Sequence, residues 1–202
     1  MKAHSLILSA RSEVFRLMLN CGMRESASKE VVIDDCEPKL FQAMLRFLYS
    51  DCFDFLEEVI GPRAADDAFG SSECSVDQSQ AGEKSTRLRA LVNLLAMSHK
   101  YQLARLQSWC ARELCFCVTV EDVCSVLCQA HLYEAKQLEQ VCLRFVKARM
   151  DKVAQTSSFG TMGREWPEVM MKISICSAGL PVEAAAAVIA AQHSSGKRKR
   201  ED

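Results

Sequence analysis

Apolar positions follow two rhythms along this chain, closely spaced up to about residue 50 and again helical after residue 87. From His4 to Asn20, the residues Leu6, Ile7, Leu8, Val14, Phe15, Leu17, Met18 and Leu19 fit two short helices, with Ser12 placed to cap the second. Val31-Val32-Ile33 is β-branched and closed by Asp34-Asp35, which predicts a strand and a turn. One strand needs a partner from elsewhere. Pro38 suits the first position of a helix whose apolar face is Leu40, Phe41, Met44, Leu45, Phe47 and Leu48, running to about Ser50.

From Asp54 to Arg87 the chain turns to Gly, Ser, Gln and acidic residues, eight Asp/Glu against three Lys/Arg, with no sustained period after Ile60. Most of that stretch reads as a disordered loop. Helical period then returns: Leu88, Leu91, Val92 and Leu95 share a face, as do Leu103, Leu106, Cys110, Leu114 and Cys117. Thr119 is placed to cap a helix with Val120, Val123, Cys124, Leu127, Cys128 and His131 on one side. Leu138, Val141, Cys142 and Phe145 mark the next, and Pro167 opens another running to about Ser177. The second half is expected to be a helical bundle, followed by an alanine-rich run and a basic tail. No repeat of 20 to 50 residues is present.

Composition narrows the class. With 202 residues and 49% hydrophobic content the chain can bury a core, and a net charge of −1 gives no general attraction to nucleic acid or anionic membrane. No apolar run approaches the ~18 residues of a membrane span, and Ser9, Arg11 and Ser12 interrupt any signal core. A soluble, non-secreted protein is expected. Eleven cysteines, an odd number scattered over apolar helical positions, suit reduced thiols better than a disulfide framework.

Several ordered blocks carry a family resemblance. Ala3-His4, the apolar helix, Glu13-Val14-Phe15 after Ser12, the strand, and the proline-started helix ending Phe47-Leu48-Tyr49 together resemble the BTB (POZ) domain. Leu94-Leu95-Ala96 followed by Tyr101 resembles that family's later helix pair. From Leu103 to about Leu180 the chain is similar to the BACK-type helical extension of the speckle-type POZ protein and related plant BTB proteins. The resemblance implies an α+β, predominantly helical fold: a truncated BTB/POZ fold with a small residual sheet, then a BACK-type bundle. The corresponding domains are 1–117, with the insertion at about 54–87, then 118–180, and a flexible tail over 181–202.

The resemblance also implies function. Such proteins are non-catalytic substrate adaptors of cullin-3 ubiquitin ligases, in which an apolar residue, any residue and a glutamate contact the cullin; Met23-Arg24-Glu25 matches, assigning Met23 and Glu25. A flexible thioether suits an apolar pocket, and a carboxylate accepts directional hydrogen bonds at its edge. Ile7 and Leu8 lie on the helix that contributes to the family's homodimer, although either also suits the core. The family's preceding helix and first two strands have no counterpart after Met1, so a truncated form is expected, as is an unidentified protein substrate. His4 reads as a helix-start or core residue.

Other signals compete. Cys124, Cys128 and His131 would share a helical face and could begin a zinc site, with Cys110, Cys115 and Cys117 nearby; four ligands and CxxC knuckles are wanting, and buried thiols are the simpler reading. No metal, cofactor or catalytic motif is expected. Lys197, Arg198, Lys199 and Arg200 resemble a nuclear-import signal, pointing to the nucleus, while direct nucleic-acid binding would need a wider basic surface. The rival readings are a BTB oligomerisation scaffold without a ligase role, a metal-dependent or redox regulator, and a fragment without function.

Overall fold

The computed structural model describes residues 1–21, 24–28, 30–61 and 78–180, and it divides into two compact units, Met1–Cys117 and a second from Val118. Each is helical throughout its regular structure, and no strand occurs among the described residues.

The first unit begins with α1 (Ser5–Arg11) and α2 (Glu13–Asn20), joined at Ser12. Ser12 Oγ accepts from the Phe15 N–H at 3.3 Å, so the predicted cap forms. A short α3 (Arg24–Ser28) follows, then α4 (Pro38–Ser50), where Pro38 occupies the first helical turn with its missing N–H at no cost. α4 ends at Asp51 in the left-handed conformation (φ 59°), whose N–H returns to the Phe47 carbonyl at 2.8 Å. The Asp51 carboxylate there receives both Arg11 of α1 and Arg105.

Two long helices complete the unit, α6 (Gln78–Lys100) and α7 (Ala104–Cys117), after a short α5 (Asp54–Ile60). Between α6 and α7 the chain reverses through Gln102 in the left-handed region (φ 54°), with Gln102 N–H on His99 and Leu103 N–H on Ser98. Leu91, Leu94 and Leu95 of α6, Leu106 and Leu114 of α7, Met44 and Phe47 of α4, Leu56 of α5 and Phe15 of α2 are buried together in this unit's core. Stacked rings extend it: Phe47 on Phe53 (5.1 Å) and Phe53 on Trp109 (5.0 Å).

Two sequence expectations change in this unit. The strand Val31–Ile33 joins no ladder, because a strand is completed only by a partner's backbone and the described residues supply none. The loop expected over 54–87 is helical at both ends. Leu56 and Ile60, four residues apart, bury one face of α5, and Arg87 is drawn into the core of α6 by the carboxylate of Glu113 at 2.9 Å. Residues 62–77 of that stretch lie outside the described residues.

The second unit comprises α8 (Val123–Leu132), α9 (Lys136–Ala148), α10 (Met150–Val153), α11 (Ser157–Glu165) and α12 (Pro167–Ser177). Thr119 Oγ1 accepts from the Asp122 N–H at 3.3 Å, capping the turn that leads into α8. α8 and α9 form a hairpin through Glu134, again left-handed (φ 54°), and α12 packs on both. Val123, Leu127, Leu138, Cys142, Val146, Val169 and Ile173 supply this unit's core. The basic tail lies beyond the described residues.

Candidate functional site

In the first unit the side chains of α1, α2 and α4 and the 30–37 segment surround a groove of about 480 Å³. Its wall is apolar: Leu8 from α1, Phe15 and Leu19 from α2, Phe41 and Leu45 from α4, and Val31 and Ile33 along one side. Helical spacing explains the walls, since residues three and four apart share a face. Exposure alternates along the margin, with Val31 and Ile33 half-buried and Val32 78% exposed, as in a strand with one face covered.

The margin is also polar in a regular way. Among the described residues, the N–H and C=O groups of Val31, Val32 and Ile33 make no hydrogen bond. Just before them, Glu30 N–H donates to Ser28 Oγ at 3.2 Å, which anchors the segment to α3. On the far side Asp35 pairs with Lys100 at 2.6 Å; this bond holds the Asp35 carboxyl below its usual range and raises the Lys100 ammonium. Burial pushes the Cys36 thiol up. Glu30, Asp34, Asp35 and Glu37 make the rim acidic, and all are exposed.

The residues predicted from sequence fall in different places. Glu25 is half-buried in the first turn of α3, while Met23 lies outside the described residues, as do Lys197, Arg198, Lys199 and Arg200. Leu8 is 8% exposed and walls the groove, Ile7 is half-buried, and Leu6 is 81% exposed. The most exposed apolar side chain of α1 is therefore Leu6, which three successive apolar residues on a two-turn helix did not single out. His4 stands just before α1, its ring Nδ1 2.9 Å from the Tyr49 hydroxyl.

In the second unit the cysteine-rich face divides. Cys124 and Cys128 are buried in the apolar stripe, and burial raises both thiols, Cys128 to about 11. His131 instead faces an ionic group: its Nδ1 is 3.0 Å from Lys172 Nζ and 3.3 Å from Glu139, and its Nε2 is 3.4 Å from Glu168. Lys172 also donates to Glu139, so α8, α9 and α12 are tied by charge as well as packing. Among the described residues, no three His, Cys, Asp or Glu side chains converge as a metal group, and no helix is long and apolar enough to cross a membrane.

The first unit thus offers an apolar groove, an unpaired backbone margin and an acidic rim, a constellation suited to recognising another chain. Residues 1–67 match the BTB/POZ domain family. Beyond that segment, the chain is similar to BTB/POZ and MATH domain-containing protein 6 of Arabidopsis thaliana, 32% identical over 178 residues, covering 88% of this chain and 40% of that protein. It is also similar to the Arabidopsis thaliana BTB/POZ and MATH domain-containing proteins 3 and 4, at 31% over 174 residues and 30% over 182. Those matches cover 85% and 90% of this chain and 38% and 36% of the two relatives, so the chain spans about two fifths of the curated relatives' length. Residues 1–67 thus match a BTB/POZ domain, and the similarity to BTB/POZ and MATH domain-containing proteins runs through both units.

Proposed function

We propose that this chain is a non-catalytic protein-interaction adaptor that docks cullin-3 through Met23 and Glu25, dimerises through its BTB/POZ segment, and works in ubiquitin ligation. One observation carries the reading: the BTB/POZ match at 1–67 leads into similarity to BTB/POZ and MATH domain-containing proteins over 88% of the chain. The partly exposed Glu25, at the start of a short helix packed on α2, supports a docking role, because a carboxylate held there accepts hydrogen bonds without prior unfolding. The exposed Leu6 and half-buried Ile7 of α1 supply apolar surface for a second copy, with Leu8 beneath them. The helices from Val118 are read as a BACK-type extension, and Lys197 to Arg200 as a nuclear-import signal.

Titration of the purified chain against the N-terminal region of cullin-3 tests the reading, in parallel with a Met23→Ala, Glu25→Ala double variant. The expected result is saturable binding in the micromolar range that the folded double variant weakens at least about tenfold. A chain that is folded by circular dichroism and does not bind would sink the cullin role and favour an oligomerisation scaffold.

A further inference from the structure

We propose that His131, Lys172 and Glu139 form a proton-sensitive joint in the second unit, in which charging of His131 moves Lys172 off the ring and resets α12 against α8 and α9. The contacts fix the starting state. Lys172 Nζ stands 3.0 Å from His131 Nδ1, and an ammonium can only donate, so Nδ1 holds a lone pair and the ring is neutral. The single ring proton then sits on Nε2, 3.4 Å from the Glu168 carboxylate that accepts it. Lys172 also donates to Glu139, which lies 3.3 Å from the same Nδ1. One lysine of α12 therefore bridges a ring on α8 and a carboxylate on α9.

Histidine is the side chain whose charge changes between about pH 5 and 8. When a solvent proton takes the Nδ1 lone pair, Lys172 has no acceptor left there, and two cations face each other at 3.0 Å. The Lys172 and His131 side chains are 12% and 23% exposed, so water screens that repulsion poorly. Nδ1–H turns to Glu139 while Nε2–H keeps Glu168, and the ring stays in place. From the end of α11 the ring meets Trp166 edge-on at 6.3 Å, and the charge of Glu165 acts one turn earlier on α8, at Cys128, whose thiol burial keeps protonated. Lys172 is the group that moves. It lies on the face of α12 that buries Val169, Ile173 and Cys176, so its displacement is felt by that helix, whose first turn remains held by Glu168.

The joint lies wholly in the second unit and does not rest on the cullin reading, so the two are tested separately. Magnetic resonance spectra of the full, isotopically labelled chain are followed from about pH 8 to about pH 5. The Nε2–H tautomer of His131 is expected at the upper end. On acidification the Lys172 Nζ signal and the α12 amides should shift with the midpoint of the His131 ring. His131→Gln keeps an acceptor and a donor but cannot take up the proton, so it should stay folded by circular dichroism and lose the α12 shifts. Lys172→Met removes the ammonium, and should release the neutral ring to the Nδ1–H tautomer that donates to Glu139. A neutral ring already protonated at Nδ1 in the unaltered chain, ring titration that leaves Lys172 and α12 unmoved, or α12 shifts that persist in His131→Gln would overturn the proposal. If His131→Gln unfolds, Lys172→Met decides, and an unchanged tautomer there overturns it.

Discussion

The hydroxyl of Ser12 donates to the backbone carbonyl of Tyr101 at 2.7 Å across 89 residues of sequence, and both residues are buried. The same oxygen accepts from the Phe15 N–H, and the Phe15 ring stacks on Tyr101 at 4.6 Å. One serine thus caps α2 and joins it to the turn that ends α6. The left-handed Gln102 makes that junction possible by reversing the chain immediately after Tyr101.

Ser12→Ala removes the cap and leaves a buried carbonyl without its donor. The first loss costs about 1 kcal/mol and the second about 1–2 kcal/mol, so a destabilisation of about 2–3 kcal/mol is expected. Urea unfolding followed by helical circular dichroism measures it. A change below about 0.5 kcal/mol would show that the junction is not an energetic contact.

Arg87 and Glu113 form a buried ion pair at 2.9 Å, with side chains 8% and 3% exposed. Arg87 also donates to the Gly61 carbonyl, while its Nε lacks a partner. Glu113→Ala strands a guanidinium in the core and should cost about 3–5 kcal/mol. The double substitution Arg87→Met, Glu113→Leu should be more stable than Glu113→Ala, because no charge is then left buried. Denaturant midpoints of the two variants decide this; equal midpoints would argue against uncompensated charge as the cause.

Gln102 and Glu134 each adopt a positive φ of 54° at a helix end. A side chain there costs about 1–2 kcal/mol, part of which glycine returns through its freer unfolded chain. Gln102→Gly and Glu134→Gly are each expected to raise stability by about 0.5–1 kcal/mol, readable as a higher melting temperature. A fall in melting temperature would mean that either side chain makes a contact worth more than the relieved strain.

Cysteine chemistry should report burial directly. Burial raises the Cys110 thiol well above its ordinary value and Cys128 to about 11, whereas Cys21 is exposed. Alkylation of the native chain near neutral pH should therefore label Cys21 long before Cys110, Cys124 or Cys128, as peptide mass spectrometry would read. The linkage has a definite sign. The folded state keeps these thiols protonated when the unfolded chain begins to lose its protons near pH ~8.5, so their contribution is fully present below that pH. It declines as pH rises towards the folded value of about 11 for Cys128. Unfolding free energy measured from neutral to alkaline pH should fall, and a Cys128→Ala variant should fall less steeply. Identical slopes would remove Cys128 from that dependence.

Local patterns determined much of this protein from sequence alone: Ser12 as a cap, Pro38 and Pro167 as helix starts, most of the faces of α6 to α8, and the blocks that mark the BTB/POZ segment; in α9 Leu138 and Cys142 are buried as expected, but with Leu143 and Val146 in place of the half-buried Val141 and Phe145. Each rests on neighbours a few residues apart, where spacing fixes geometry. The tertiary structure decided what depends on distant partners. Val31–Ile33 has the composition of a strand but no ladder, since pairing is a property of two segments. Asp54–Ile60 is helical because Leu56 and Ile60, four residues apart, find burial, whereas Gln78–Arg87 is helical despite polar composition, with Arg87 meeting Glu113, a distant partner that local periodicity does not encode. Leu6, Ile7 and Leu8 are equally apolar in sequence, yet packing in the first unit leaves Leu6 outside and turns Leu8 inward. The groove arises in the same way, as the space left between helices whose individual faces, but not their arrangement, are written in the order of residues.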